Sequence, residues 1–364
     1  MTFVLLVLGF VALVAGAEIM VRGASSIAVR TGLSPVVVGL TVVAFGTSTP
    51  EMAVSVGAAR DGQAGLAIGN VVGSNIANVL LVLGISAAIG GGLLVAQKIV
   101  RIDVPLMILA SVVVIAMSLN GLIGPVEGAL LLLSVIVYTG WTVWAALRED
   151  TEVAAEYDEA FGSTDPTPLW IDIASIVGGI VALVVGSRWL VGSASEIAES
   201  FGVSDLVIGL TVVAFGTSAP ELATSIIAAM RGERDIAVGN VVGSNLFNLL
   251  AVLGVTAMVA PGGLPVSDDA LRLDLPIMLA VAVACLPVFF NGYELKRWEG
   301  VLFGVYYVAY VAFLVLDQTD SGLRDPFAVA MLGFVLPLTV ITLIVVGVRA
   351  LRAHRDNRVE QSTA

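Results

Sequence analysis

The chain has 364 residues, 58% hydrophobic and only 13% charged, with a mean hydropathy of +1.02, values that exclude a water-soluble globule. Its net charge of −12, from 17 basic and 29 acidic residues, argues against nucleic acid as a partner. A single cysteine (Cys285) and a single histidine (His354) exclude a disulfide framework, thiolate or imidazole metal sites and a Ser-His-Asp triad.

Apolar runs occur near 2–21, 35–59, 64–89, 102–119, 122–147, 169–191, 205–230, 235–259, 273–290, 298–316 and 327–348. Most are continuous and long enough to cross about 30 Å of hydrocarbon as helices, unlike the short alternating strands of a β-barrel. The first residues lack a basic n-region, so the first run is expected to remain as a helix. Between 148 and 168 the chain turns polar, acidic and Pro-punctuated, which suits a cytoplasmic linker between two halves. No EF-hand spacing is present there.

The connections alternate in charge. One set carries Arg22, Arg30, Lys98, Arg101, Arg148, Arg231, Arg234, Lys296, Arg297 and the tail arginines 349, 352, 355 and 358; the other keeps Arg60, Arg188, Arg272 and Arg324 among many acids. The positive-inside rule then puts the N-terminus outside and the C-terminus in the cytoplasm, as an odd number of spans requires.

An offset of 170 residues lays GLTVVAFGTSTPEMAVS (39–55) over GLTVVAFGTSAPELATS (209–225), and GNVVGSNIAN (69–78) over GNVVGSNLFN (239–248). About 31 of the 51 positions from Gly39 to Ile89 are identical without a gap. Five spans separate equivalent points, so the second copy is expected to enter the membrane from the opposite side. Inverted copies of this kind form transporters whose site lies at mid-membrane where they meet.

Glu51 and Glu221 fall inside apolar spans with no Lys or Arg in the same span to neutralise them. An acid there costs at least a few kcal/mol unless it is paired or faces a cavity, and its default meaning is functional. Pro50 and Pro220, just before each acid, lack an amide hydrogen and break the helix near Gly46–Ser48 and Gly216–Ser218. In hydrocarbon, freed carbonyls are tolerated where they line a cavity or bind something. If the copies face each other, two carboxylates, these carbonyls and the side chains of Thr47, Ser48, Ser74, Asn75, Asn78, Thr217, Ser218, Ser244, Asn245 and Asn248 come together. All supply hard oxygen, which suits Ca²⁺ and, by the same logic, Na⁺ rather than zinc or copper. Two negative charges balance one divalent ion.

GTSTPE (46–51) and GTSAPE (216–221), each followed by GNVVGSN-x-x-N, resemble the two α-repeats of the calcium/cation antiporter superfamily, and in particular its prokaryotic sodium/calcium exchangers. The likeness covers about ten of the eleven spans. It implies an all-α integral membrane fold: two inverted five-helix repeats, 1–147 and 169–316, joined by the linker 148–168. Residues 317–364 then add one extra C-terminal transmembrane helix and a basic cytoplasmic tail. It also implies that Glu51 and Glu221 are shared ligands, with the carbonyls of Thr47 and Thr217 completing a calcium site. Sodium sites are expected to draw on the carbonyls of Ala44 and Ala214 and on the side chains of Thr47, Ser48, Thr217, Ser218, Ser74 and Ser244, with Asn78 and Asn248 in the middle. The helices near 2–21 and 169–191 are the expected moving pair. Relatives that include potassium-dependent exchangers carry Asp where this chain has Asn248, which puts potassium cotransport in doubt.

The expected activity is therefore antiport of Na⁺ against Ca²⁺ in the cell membrane, with no cofactor and no enzymatic step. A proton/calcium antiporter using the same glutamates is the alternative, and a passive cation channel a further one. The hydroxyls around the glutamates favour sodium, because Na⁺ needs several oxygens and a proton needs one carboxylate. Gly-Asn-x-x-Gly-Ser as an enzyme's phosphate loop is set aside, since it lacks the Walker lysine and a preceding strand.

Overall fold

The computed structural model describes residues 1–148, 168–201, 214–290, 292–319, 322–331, 333 and 337. The linker residues 149–167, the start of the run at 205–230, and most of the expected C-terminal helix with its tail lie outside them. In chain order the helices are α1 (Thr2–Thr31), α2 (Pro35–Thr47), α3 (Thr49–Arg60), α4 (Ala64–Ile89), α5 (Ile99–Ser118), α6 (Pro125–Ala146) and α7 (Leu169–Ser200). They continue with α8 (Ala214–Thr217), α9 (Ala219–Met230), α10 (Arg234–Val259), α11 (Ala270–Phe290), α12 (Arg297–Gln318) and α13 (Arg324–Ala330). Among the described residues eight helices are long and apolar enough to cross a membrane, and the bent pair α2–α3 makes a ninth.

Two of these helices outrun the apolar stretches that announce them. α1 extends to Thr31 and α7 to Ser200, 30 and 32 residues against the expected ends near 21 and 191. Hydropathy marks where lipid contact stops; the helix itself stops where its hydrogen bonds do, for α1 at Gly32 in the left-handed region (φ 68°). α1 and α7 pack antiparallel along their length. Gly9 and Gly16 on α1 meet Gly186 and Gly179 on α7 so closely that a Cβ on Gly179 would lie 2.6 Å from the Cβ of Met20 and 2.7 Å from the carbonyl oxygen of Gly16. Small residues let membrane helices approach in this way. Gly179→Leu is expected to destabilise the protein by about 1–3 kcal/mol through overpacking, whereas Gly178→Leu, at a position with nothing within 4 Å, stays near neutral; melting temperatures in detergent compare the two.

The most enclosed spans are α4 and α10, with 78% and 89% of their apolar windows buried against 17–44% for the other single-helix spans. They form the centre, and the outer helices keep an apolar face free for lipid. Gly243 of α10 sits over Leu40 of α2, where a Cβ would lie 2.7 Å from the Leu40 carbonyl oxygen. Two-residue ladders tie the chain ends of the spans together: β1 (Leu93–Leu94) pairs with β4 (Glu294–Leu295), and β2 (Leu122–Ile123) with β3 (Leu264–Pro265). These small ladders depart from the all-α expectation. They occur where loops after α4, α5, α10 and α11 run side by side and satisfy each other's backbone groups.

Among the described residues, π-helical stretches interrupt the α-helices at Gly39–Val43, Asn78–Leu83, Ile99–Asp103, Asn248–Val252 and Ala270–Asp274. Such wide turns are frequent at functional sites. Two of them begin at Asn78 and Asn248.

Candidate functional site

The break expected before each proline falls at Ser48 and Ser218, whose ψ of 5° leaves the helical region. α2 and α3 meet there at a bend of 42°. Pro50 and Pro220 stand at the starts of α3 and α9, where a missing amide hydrogen costs nothing. Glu51 and Glu221 then occupy the first turns of these helices. The positive end of the helix dipole favours a carboxylate at that place, which offsets part of its burial cost.

Both glutamates are fully buried, at 0% exposure, and none of their four carboxylate oxygens has a hydrogen-bond partner. The two carboxylates are close enough to repel each other, and Glu221 faces the hydroxyls of Thr47 and Ser48 from the other half of the chain. A second link between halves runs through Thr47, whose hydroxyl lies 3.1 Å from Asn240 Oδ1 and 3.3 Å from Ser244 Oγ.

The remaining expected residues are mostly gathered into the same region. Ser48, Ser74, Asn78, Ser218 and Asn248 are buried and their side-chain polar atoms are unpartnered. The wide turn that starts at Asn78 packs on α9, the helix of Glu221, and the turn that starts at Asn248 packs on α3, the helix of Glu51. Thr217 is buried beside these groups. The backbone carbonyl of Ala44 accepts the Ser48 amide at 3.0 Å and lies 3.4 Å from the Thr47 hydroxyl, so it is engaged in the helix here. Ala214 starts α8, equivalent to the last turn of α2.

Asn70, which the sequence offers as a hydrogen-bonding residue between helices, does bond between helices, and with Asn240 it forms a pair of braces whose partners the sequence does not indicate. Asn70 donates to the Glu51 carbonyl (3.2 Å) and to Ser55 Oγ (2.9 Å), and Asn240 donates to the Glu221 carbonyl (3.4 Å) and to Ser225 Oγ (2.9 Å). Each brace ties a glutamate's helix to the next one. The signal was present, since both Asn and both Ser are identical across the 170-residue offset.

Burying a polar group without a partner costs about 1–3 kcal/mol, and more for a charge. The unpartnered oxygens at matched positions of both copies fit a dehydrated cation of the hard class. Among the described residues no three His, Cys, Asp or Glu side chains gather at one place; the site combines two carboxylates with neutral oxygens. A cavity of about 310 Å³ opens beside it. Pro50, Ala53 and Val54 of α3, Val184, Arg188 and Val191 of α7, and Gly216 and Thr217 of α8 line it. Ser187 of α7 donates to the carbonyl of Gly216, which Pro220 leaves without its helical amide.

Relatives share this arrangement of chain. The sequence pattern of the family described as sodium/calcium exchanger protein matches residues 1–144 and 171–316. Sodium/calcium exchanger MaX1 of Methanosarcina acetivorans is 33% identical, across 86% of this chain and 98% of its own. Inner membrane protein YrbG of Escherichia coli is 36% identical, across 80% and 90%. A solved structure of the sodium-calcium exchanger NCX_Mj soaked with Na⁺ and Ca²⁺ superposes with a TM-score of 0.73 at 30% identity, covering 85% of this chain and 97% of that one. A family pattern that takes in both halves and relatives matched over nearly their whole length lead to one conclusion: the chain belongs to the sodium/calcium exchanger protein family.

Proposed function

We propose that this protein exchanges Na⁺ for Ca²⁺ across the cell membrane by alternating access at a site shared between Glu51 and Glu221. The observation that carries the reading is the pair of fully buried, unpartnered glutamates contributed by two copies of one sequence. Calcium takes both carboxylates and the carbonyls of Thr47 and Thr217. Sodium ions use the same carboxylates with the hydroxyls of Thr47, Ser48, Thr217, Ser218, Ser74 and Ser244 and the carbonyls of Ala44 and Ala214, and Asn78 and Asn248 stand between. Either load neutralises the site, whereas the empty site carries two negative charges that the apolar barrier opposes. The conformational change is thereby restricted to loaded states, which couples the two fluxes.

In this reading the helices form two inverted five-helix repeats, with the α1–α7 pair as the moving part and the C-terminal helix as an addition to the core. The 170-residue repeat and the exchanged pairing of the short ladders support that arrangement. The charge asymmetry of the connections supports an outside N-terminus and a cytoplasmic C-terminus.

The test is calcium uptake by proteoliposomes. With sodium inside and none outside, ⁴⁵Ca²⁺ is expected to accumulate, and collapsing the sodium gradient with an ionophore stops it. Accumulation driven equally by a pH gradient without sodium would instead assign the glutamates to proton/calcium antiport, and calcium flux at channel rates without a counter-ion would remove the exchange reading.

A further inference from the structure

The two halves carry ionic groups at matched places with their signs reversed. At the 170-residue offset Glu18 of α1 corresponds to Arg188 of α7, and Arg231, just after α9, corresponds to Asp61, just after α3. The first half thus supplies both acids and the second half both bases, and symmetry offers two ion pairs across the halves: Glu18 with Arg231, and Arg188 with Asp61.

Only one of them is made. Arg231 grips Glu18 with two nitrogens, Nε donating to Oε2 at 2.7 Å and Nη2 to Oε1, and Arg22 donates to the same carboxylate at 2.8 Å. α1 packs against α9 along this contact. On the other side α7 stands away from α3, and the 310 Å³ cavity separates Val184, Arg188 and Val191 from Pro50, Ala53 and Val54. Arg188 lines that cavity, Asp61 is exposed immediately after α3, and among the described residues neither has an ion-pair partner. A guanidinium within a membrane span costs several kcal/mol unless it reaches water or a partner. The cavity gives Arg188 the first; its counterpart geometry supplies the second.

We infer that Glu18–Arg231 and Arg188–Asp61 are alternating latches that position the α1–α7 pair at the two ends of the transport cycle. The inference rests on the alternating-access reading above. Because the glycines described above pack α1 and α7 backbone to backbone, the two helices travel together, and bringing α7 onto α3 carries α1 off α9. In the state of this structure the first latch is closed, on the face that the positive-inside rule makes cytoplasmic, and the cavity is open on the opposite face. In the other state Arg188 reaches Asp61 across the collapsed cavity and Glu18 releases Arg231. Half-exposed ion pairs are weak, worth up to about a fivefold change in population, so each latch biases the equilibrium without locking it.

The test uses the full chain in proteoliposomes, with Na⁺-driven ⁴⁵Ca²⁺ uptake of the unsubstituted protein measured first. Absence of that uptake overturns the alternating-access reading and this inference with it. With uptake present, the double variant Asp61→Cys, Arg188→Cys is expected to be bridged during turnover by a bis-methanethiosulfonate reagent long enough to replace the two lost side chains, since an ion pair holds its Cβ atoms beyond disulfide reach, and to lose uptake until reductant is added; the double variant Glu18→Cys, Arg231→Cys does the same. Uptake intact with no cross-link at 61 and 188 during turnover overturns the latch assignment alone. In parallel, Arg188→Glu is expected to slow exchange about three- to fivefold and the added change Asp61→Arg to restore it. A double variant no faster than the slower single one also overturns the pairing.

Discussion

Glu51→Gln and Glu221→Gln are each expected to reduce Na⁺-driven Ca²⁺ uptake to about 1% of the unsubstituted rate or less, while the protein still folds. Glutamine preserves the volume of the side chain and its carbonyl oxygen but removes the charge. At about 4 Å and an effective dielectric near 20, one unit charge contributes about 4 kcal/mol per unit charge on the ion, which at 1.4 kcal/mol per factor of ten is close to a thousandfold in affinity for each unit of charge the ion carries. A site with one carboxylate left no longer balances a divalent ion, and it no longer distinguishes an empty from a loaded carrier by charge. Stability is expected to move the other way: each glutamate is wholly buried with both oxygens unpartnered, so removing its charge relieves repulsion between the pair and raises the melting temperature in calcium-free detergent. Uptake by ⁴⁵Ca²⁺ and melting by intrinsic fluorescence measure the two effects separately. Full transport by either variant removes the site assignment.

Asn248→Asp is expected to change ion selectivity. Asn248 opens the wide turn that packs on the helix of Glu51, it is fully buried, and both polar atoms of its side chain are unpartnered. A third carboxylate there turns a site suited to one divalent ion into one that needs an additional monovalent cation for the same neutrality. Exchange at fixed sodium and calcium is therefore expected to fall about tenfold or more without potassium, the cost of one uncompensated buried charge, and to recover in part when potassium is supplied. An unchanged sodium, potassium and proton profile would count against a central position for Asn248.

The glutamates were legible in sequence because a charge inside an apolar run is conspicuous, and the proline one residue earlier marks where the backbone opens. The break itself, at Ser48 and Ser218, follows from local chemistry alone: a missing amide hydrogen and a steric clash need no tertiary partner. The asparagine braces were harder to see, because Asn70 and Asn240 have several plausible roles in a membrane helix. What selects the brace is the distance from each to Ser55 or Ser225 on the neighbouring helix. Similarly, nothing local in Thr47 announces that its hydroxyl meets Asn240 and Ser244 from the far half. The C-terminal ends of α1 and α7 were misjudged, since hydropathy reports the solvent around a helix and not its hydrogen bonds.

By itself the sequence determined that this chain lives in a membrane, that it is built twice from one pattern, and that each copy brings one acid to a broken helix. Those features depend on composition and on short-range backbone chemistry, which tertiary contacts do not alter. The structure decided how the copies meet: which oxygens stand together, which helices form the buried centre, and which residues line the cavity. Two similar repeats carry no local signal that one makes an ion pair which its counterpart leaves open. That asymmetry arises from where α1 and α7 rest against the core, where Glu18 has Arg231 and Arg188 lines a cavity, and such a choice between two packings exists only once the whole chain has folded.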